Sequence, residues 1–73
     1  MRSSDPLRAF GQRLREFREN AELSQEKLAE MAELHRNYVG SLERGQSNVS
    51  LLAMVRLARC LKVKPYELID TVR

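Results

Sequence analysis

Arg36, Asn37, Tyr38 and Ser41 fall within six consecutive positions and offer a guanidinium fork, a carboxamide, a phenol and a hydroxyl. Such groups donate and accept hydrogen bonds, and none becomes a strong nucleophile without a base beside it. The chemistry they suit is recognition of flat polar edges and anionic oxygens. Bond-breaking chemistry has little to draw on. Cys60 is the sole cysteine and His35 the sole histidine, so an internal disulfide, a metal site or a catalytic dyad cannot be assembled around them. No enzyme, cofactor, metal or small-molecule ligand is expected.

The cations point the same way. Ten of the 13 Lys and Arg residues are Arg, and the formal net charge is +3. Arg meets phosphates and guanine edges through two parallel hydrogen bonds, whereas Lys acts as a point charge. A hydrophobic share of 42% with 32% charged residues describes a globular chain, neither disordered nor membrane-embedded. No apolar run approaches the roughly 20 residues of a membrane span, and Met1-Arg2-Ser3-Ser4-Asp5 leads into no secretory segment, so a cytoplasmic location is expected. The 73 residues leave room for a single domain. A domain of this size buries only about 60% of its unfolded surface, which makes self-association a natural remedy.

Positioning falls to helices. Leu7, Phe10, Leu14, Phe17 and Ala21 recur at steps of three and four, which predicts a helix from Pro6 to about 21, capped by Asp5. Ser24 caps a second, 25–32, with Leu28, Ala29 and Ala32 inward and Glu26 in its first turn. Leu34 turns in, His35 caps a third helix, 36–44, that carries only Val39 and Leu42 as inward residues, and Gly45 ends it. Ser50 caps a fourth, 51–61, with an expected core row of Leu51, Met54, Leu57, Ala58 and Leu61. Pro65 opens a short last helix, 65–70, carrying Leu68 and Ile69. The chain reads as an all-α five-helix bundle.

Residues 25–44 pair two helices of about eight residues across a tight turn, with small Ala29 where they cross. That spacing is a helix-turn-helix, whose second helix enters the DNA major groove and reads bases mainly with its N-terminal half. Arg36, Asn37, Tyr38, Gly40 and Ser41 give that helix a polar face with donors, acceptors and a small gap.

The run LSQEKLAEMAELHRNYVGSLERG, from Leu23 to Gly45, resembles the Cro and phage-repressor class of helix-turn-helix domains, over nearly the whole span from Phe10 to Leu68. Within that class, HRNYVGSLERGQSNVSLLAMVRLA is most similar to the controller proteins of restriction-modification systems. The resemblance implies a lambda-repressor-like bundle, a homodimer formed through the C-terminal helices, and a palindromic double-stranded DNA operator. It makes Arg36, Asn37, Tyr38 and Ser41 the base-contacting residues, with Arg36 suited to guanine, Asn37 to adenine or a phosphate, and Tyr38 to a thymine methyl or the backbone. Gln25, His35, Arg44, Gln46, Ser47 and Asn48 become neighbours of the DNA backbone. It pairs Arg18 with Glu43 as an ion bridge between the first and third helices, against the bland reading of two unrelated surface charges. Glu26 and Glu30, otherwise a solvated acidic face, stand where phage activators touch RNA polymerase. Controller behaviour would be activation at low occupancy and repression at high, acting on the protein's own gene and an endonuclease gene.

Two departures from the class are informative. Glu33 stands where the turn usually has glycine, and a left-handed backbone there would cost about 1 kcal/mol. Leu52 is apolar where the class is commonly polar, and with Val55 it makes a second apolar stripe on the fourth helix. Overfilling of the core is the plain explanation. The preferred one is a self-complementary dimer patch completed by Tyr66 and Ile69. Two other readings rank lower. An antitoxin-type interaction module usually carries a partner-wrapping tail, and only four residues follow Ile69. RNA binding would need exposed aromatics, while Phe10 and Phe17 belong to the core row.

Overall fold

Four side chains fix where helices begin. Asp5 accepts from the backbone N–H groups of Leu7 and Arg8, Ser24 from Lys27 at 2.9 Å, His35 Nδ1 from Asn37 at 3.1 Å, and Ser50 from Ala53 at 3.0 Å. Each supplies an acceptor to a helix start that has none of its own. In the computed structural model these caps open α1 (Pro6–Asn20), α2 (Gln25–Ala32), α3 (Arg36–Glu43) and α4 (Leu51–Leu61). The fifth, α5 (Pro65–Ile69), opens where the Lys64 N–H bonds the Glu67 carboxylate at 2.9 Å. The structure describes residues 5–70, and the expectation of no secretory segment, which rests on Met1 to Ser4, falls outside that range.

The first four helices share one kind of ending. The N–H groups of Leu23, Leu34, Gln46 and Val63 reach back to the carbonyls of Arg18, Ala29, Ser41 and Ala58. The residue before each adopts a left-handed backbone: Glu22 at φ 60°, Glu33 at 59°, Gly45 at 73° and Lys62 at 61°. This turn satisfies carbonyls that the helix leaves open, and it favours glycine. Only Gly45 is glycine. The strain expected at Glu33 is present, and Glu22 and Lys62 add two sites with no sequence signal. Helix ends also fall slightly short of expectation: α1 stops at Asn20, α3 at Glu43 and α5 at Ile69. Ala21 and Arg44 are capping residues whose N–H groups join the tightened last turn.

Every helix contributes to one core. Leu14, Leu28, Val39, Leu42, Leu57 and Leu68 are fully buried, and Phe10, Ala29, Ala32, Ala58 and Leu61 close around them. Gly11 lets α1 lie against α3: a Cβ there would stand 2.3 Å from the Leu42 carbonyl oxygen. Two expectations, Leu51 and Ala21, are corrected, and Met54 meets its own in part by packing against the core. The inward row of α4 runs through Ala53, Leu57, Ala58 and Leu61, while Leu51 is 75% exposed and Met54 only half-buried. The phase set by Leu57 and Leu61 carries Ala53 inward, one turn before Leu57, and leaves Leu51 on the open end of the helix. Ala21 is exposed because the first helix has ended before it.

Candidate nucleic-acid interface

Val39 and Leu42 have no exposed surface, which turns the opposite face of α3 outward. Arg36 and Asn37 are exposed in its first turn. They line, with Gln25, Gly40 and Arg44, a shallow hollow of about 160 Å³ where the start of α2 meets α3. The side chains around it are polar. His35 Nδ1 accepts the Asn37 N–H, so the neutral ring carries its proton on Nε2. An exposed N–H donor therefore stands at the N-terminus of α3, where the helix dipole also favours an anion.

A buried ionic node holds this helix in place. Arg18 donates Nε to Glu43 Oε2 at 2.6 Å and Nη2 to Oε1 at 3.0 Å, and its Nη1 donates to the Leu23 carbonyl at 2.7 Å. The two side chains are only 11% and 4% exposed. Hydrogen bonding to Glu43 outweighs the effect of burial and raises the Arg18 pKa further above its ordinary value. Gln25 joins the node by donating Nε2 to Glu43 Oε1 at 3.0 Å. Placed by resemblance beside the DNA backbone, Gln25 is thus also a bracket between α2 and α3, a link with no signal in the sequence.

From its first turn to its end, α3 is stitched to the loop that follows. Tyr38 donates its hydroxyl to the Asn48 carbonyl at 3.0 Å and accepts the Ser50 N–H at 3.1 Å. Ser41 and Ser47 share a hydroxyl–hydroxyl hydrogen bond, and Arg44 Nε donates to Gln46 Oε1 at 2.9 Å. Tyr38, expected among the base readers, therefore spends its hydroxyl within the protein, and its ring packs partly on the core. Ser41 is half-buried, and its hydroxyl meets another side chain first. Arg36 and Asn37 are left as the fully presented pair.

The remaining residues singled out from the sequence lie elsewhere on the molecule. Glu26 and Glu30 are exposed on α2, with Lys27 Nζ 3.5 Å from Glu30. Leu52 is 58%, Tyr66 61% and Ile69 41% exposed, and Val55 is half-buried. Cys60 is a half-buried free thiol whose pKa burial pushes up, opposed by the nearby Arg59 charge. Among the described residues no three His, Cys, Asp or Glu gather as a metal site would require, and no helix is long and apolar enough to cross a membrane.

Comparison with known proteins places this geometry. Residues 14–68 match the model of the helix-turn-helix family. The control protein C.BamHI of Bacillus amyloliquefaciens is 44% identical over 62 residues, covering 84% of this chain and 76% of that protein. The crystal structure of the restriction-modification controller protein C.AhdI from Aeromonas hydrophila is 55% identical with a TM-score of 0.83, covering 85% of this chain and 94% of that one. SinR, the master regulator for biofilm formation, solved in complex with DNA, is 32% identical with a TM-score of 0.80, covering 84% of this chain and 98% of that one. Five helices that hold a helix-turn-helix with one face open, matched over most of their length by such relatives, leave one assignment: the chain belongs to the helix-turn-helix family and, within it, to the control proteins of restriction-modification systems.

Proposed function

We propose that this DNA-binding transcription regulator acts as a homodimer on a palindromic operator, controlling its own promoter and the gene of a restriction endonuclease. It activates at low occupancy and represses at high occupancy. The family is one of regulators rather than enzymes. The observation that carries the reading is the outward pair Arg36 and Asn37, held on a helix whose opposite side is locked by Val39, Leu42 and the Arg18–Glu43 pair.

In this reading Arg36 forks onto a guanine and Asn37 pairs with adenine, with Ser41 close behind. Gln25, His35, Arg44, Gln46, Ser47 and Asn48 meet the backbone, and Tyr38 serves chiefly by holding the loop that carries several of them. Two subunits associate through Leu52, Val55, Tyr66 and Ile69, an apolar surface shared by α4 and α5. Glu26 and Glu30 face RNA polymerase bound beside the operator. The location is cytoplasmic, where these partners are.

Footprinting on the DNA upstream of the protein's own start codon tests the proposal. Protection of two symmetric half-sites, weakening steeply with salt as counterions return to several phosphates, is the expected result. Equal protection of unrelated duplex at the same concentration would overturn it.

A further inference from the structure

Arg13 donates Nε to the backbone carbonyl of Glu67 at 3.1 Å, and its guanidinium stands over the Phe17 ring, 4.8 Å from the centroid. The bond joins α1 to α5 across 54 positions of sequence. We propose that Arg13 is a positioning residue that fixes α5, one of the two helices of the subunit contact, against the DNA-reading unit and so tunes the half-site spacing the protein accepts. The inference rests on the dimer reading above.

The helix it holds cannot hold itself. α5 has five residues, far below the length at which a helix persists alone. Its late carbonyls have no partner within the helix, and Arg13 supplies one to Glu67, with a positive charge at the end where the dipole favours it. Leu68 is the buried anchor of α5, whereas Tyr66 and Ile69 are exposed. The direction in which those two side chains face therefore depends on Leu68 and on the Arg13 bond together. Stacking on Phe17 fixes the guanidinium, while the neighbouring Glu16 is 3.9 Å away and largely exposed.

The same helix carries the second attachment. Arg18 lies five residues further along α1 and grips Glu43 of α3. Five residues of helix rise about 7.5 Å. One rigid rod thus holds α5 at Arg13 and α3 at Arg18. Under twofold symmetry any shift of α5 on this rod is repeated in the other subunit, which changes the separation and tilt of the two reading helices. An operator fixes that separation in base pairs.

The test compares the wild type with Arg13→Ala and Arg13→Lys by fluorescence anisotropy, on a footprinted operator, on copies with spacers one or two base pairs shorter and longer, and on a single half-site. Sedimentation of each protein reports its oligomeric state. The wild type is expected to prefer one spacer by more than ~10-fold. Arg13→Ala should flatten that preference to below ~3-fold while single half-site affinity stays within ~2-fold, with Arg13→Lys in between. An unchanged spacer profile in either variant, or a half-site loss as large as the full-site loss, overturns the proposal. Should Arg13→Ala fail to fold by circular dichroism, the Arg13→Lys profile decides alone. A wild type that sediments as a monomer on and off DNA overturns the dimer reading instead.

Discussion

Arg18 of α1 and Glu43 of α3 meet through two parallel hydrogen bonds in a site that leaves them 11% and 4% exposed. Glu43 is the last residue of the helix whose first turn presents Arg36 and Asn37. The pair therefore sets the attitude of the face that presents Arg36 and Asn37 from its far end. Gln25 on the same carboxylate and the Leu23 carbonyl on the same guanidinium bring α2 and the intervening turn into the arrangement.

Removing either partner strands a buried charge. Arg18→Ala and Glu43→Ala should each destabilise the fold by ~3 to 5 kcal/mol in urea unfolding, a large share of what a domain this small possesses. Arg18→Lys should recover little of it, because one ammonium cannot reproduce three directed bonds to Glu43 and Leu23. Near-wild-type stability for Glu43→Ala would show that the node is ornamental.

Glu33 holds a left-handed backbone at φ 59° with an exposed side chain. Glu33→Gly should therefore raise stability by about 1 kcal/mol, read as a higher urea midpoint with unchanged slope. The greater freedom of glycine in the unfolded chain trims the gain. The same change at Glu30, inside α2, should destabilise by a similar amount.

Leu52 is 58% exposed on α4. Leu52→Arg should leave the monomer as stable as before and shift sedimentation from dimer to monomer at micromolar concentration. Operator affinity should drop with it, since two half-sites no longer act as one ligand.

Burial raises the Cys60 pKa. Alkylation of the thiol should then rise with pH through a midpoint above that of a free cysteine, about 8.5. Because the folded-state pKa lies above the unfolded one, the thiol makes a stabilising contribution that is complete below the unfolded value and fades as pH climbs through the folded one. Cys60→Ser should consequently weaken the loss of stability on the alkaline side and leave the pH dependence near neutrality unchanged.

Much of this was legible in the residues because local chemistry and global packing agree. Asp5, Ser24, His35 and Ser50 are caps by type and by structure, and the period of Phe10, Leu14, Leu28, Val39 and Leu42 names the buried faces. Leu51 misled because a leucine at the open end of a helix has the right spacing without a neighbour to cover it. Tyr38 has a second task that its type did not announce. Its type suits a base edge, but its hydroxyl is claimed by the Asn48 carbonyl and Ser50 N–H, partners that only the path of the loop brings within reach. The Gly11 contact with Leu42, and the links from Gln25 to Glu43 and from Arg13 to Glu67, likewise depend on crossings between helices that no periodicity encodes.

In the proposed function Arg36 reads sequence while the scaffold merely presents it. Affinities of wild type and Arg36→Ala for the operator and for every single-base-pair variant of one half-site test it directly. The expected result is a loss of ~1 to 3 kcal/mol on the best site, a flattened preference at one base pair, and an unchanged urea midpoint. A loss spread evenly over all the duplexes, with every base preference intact, would contradict it.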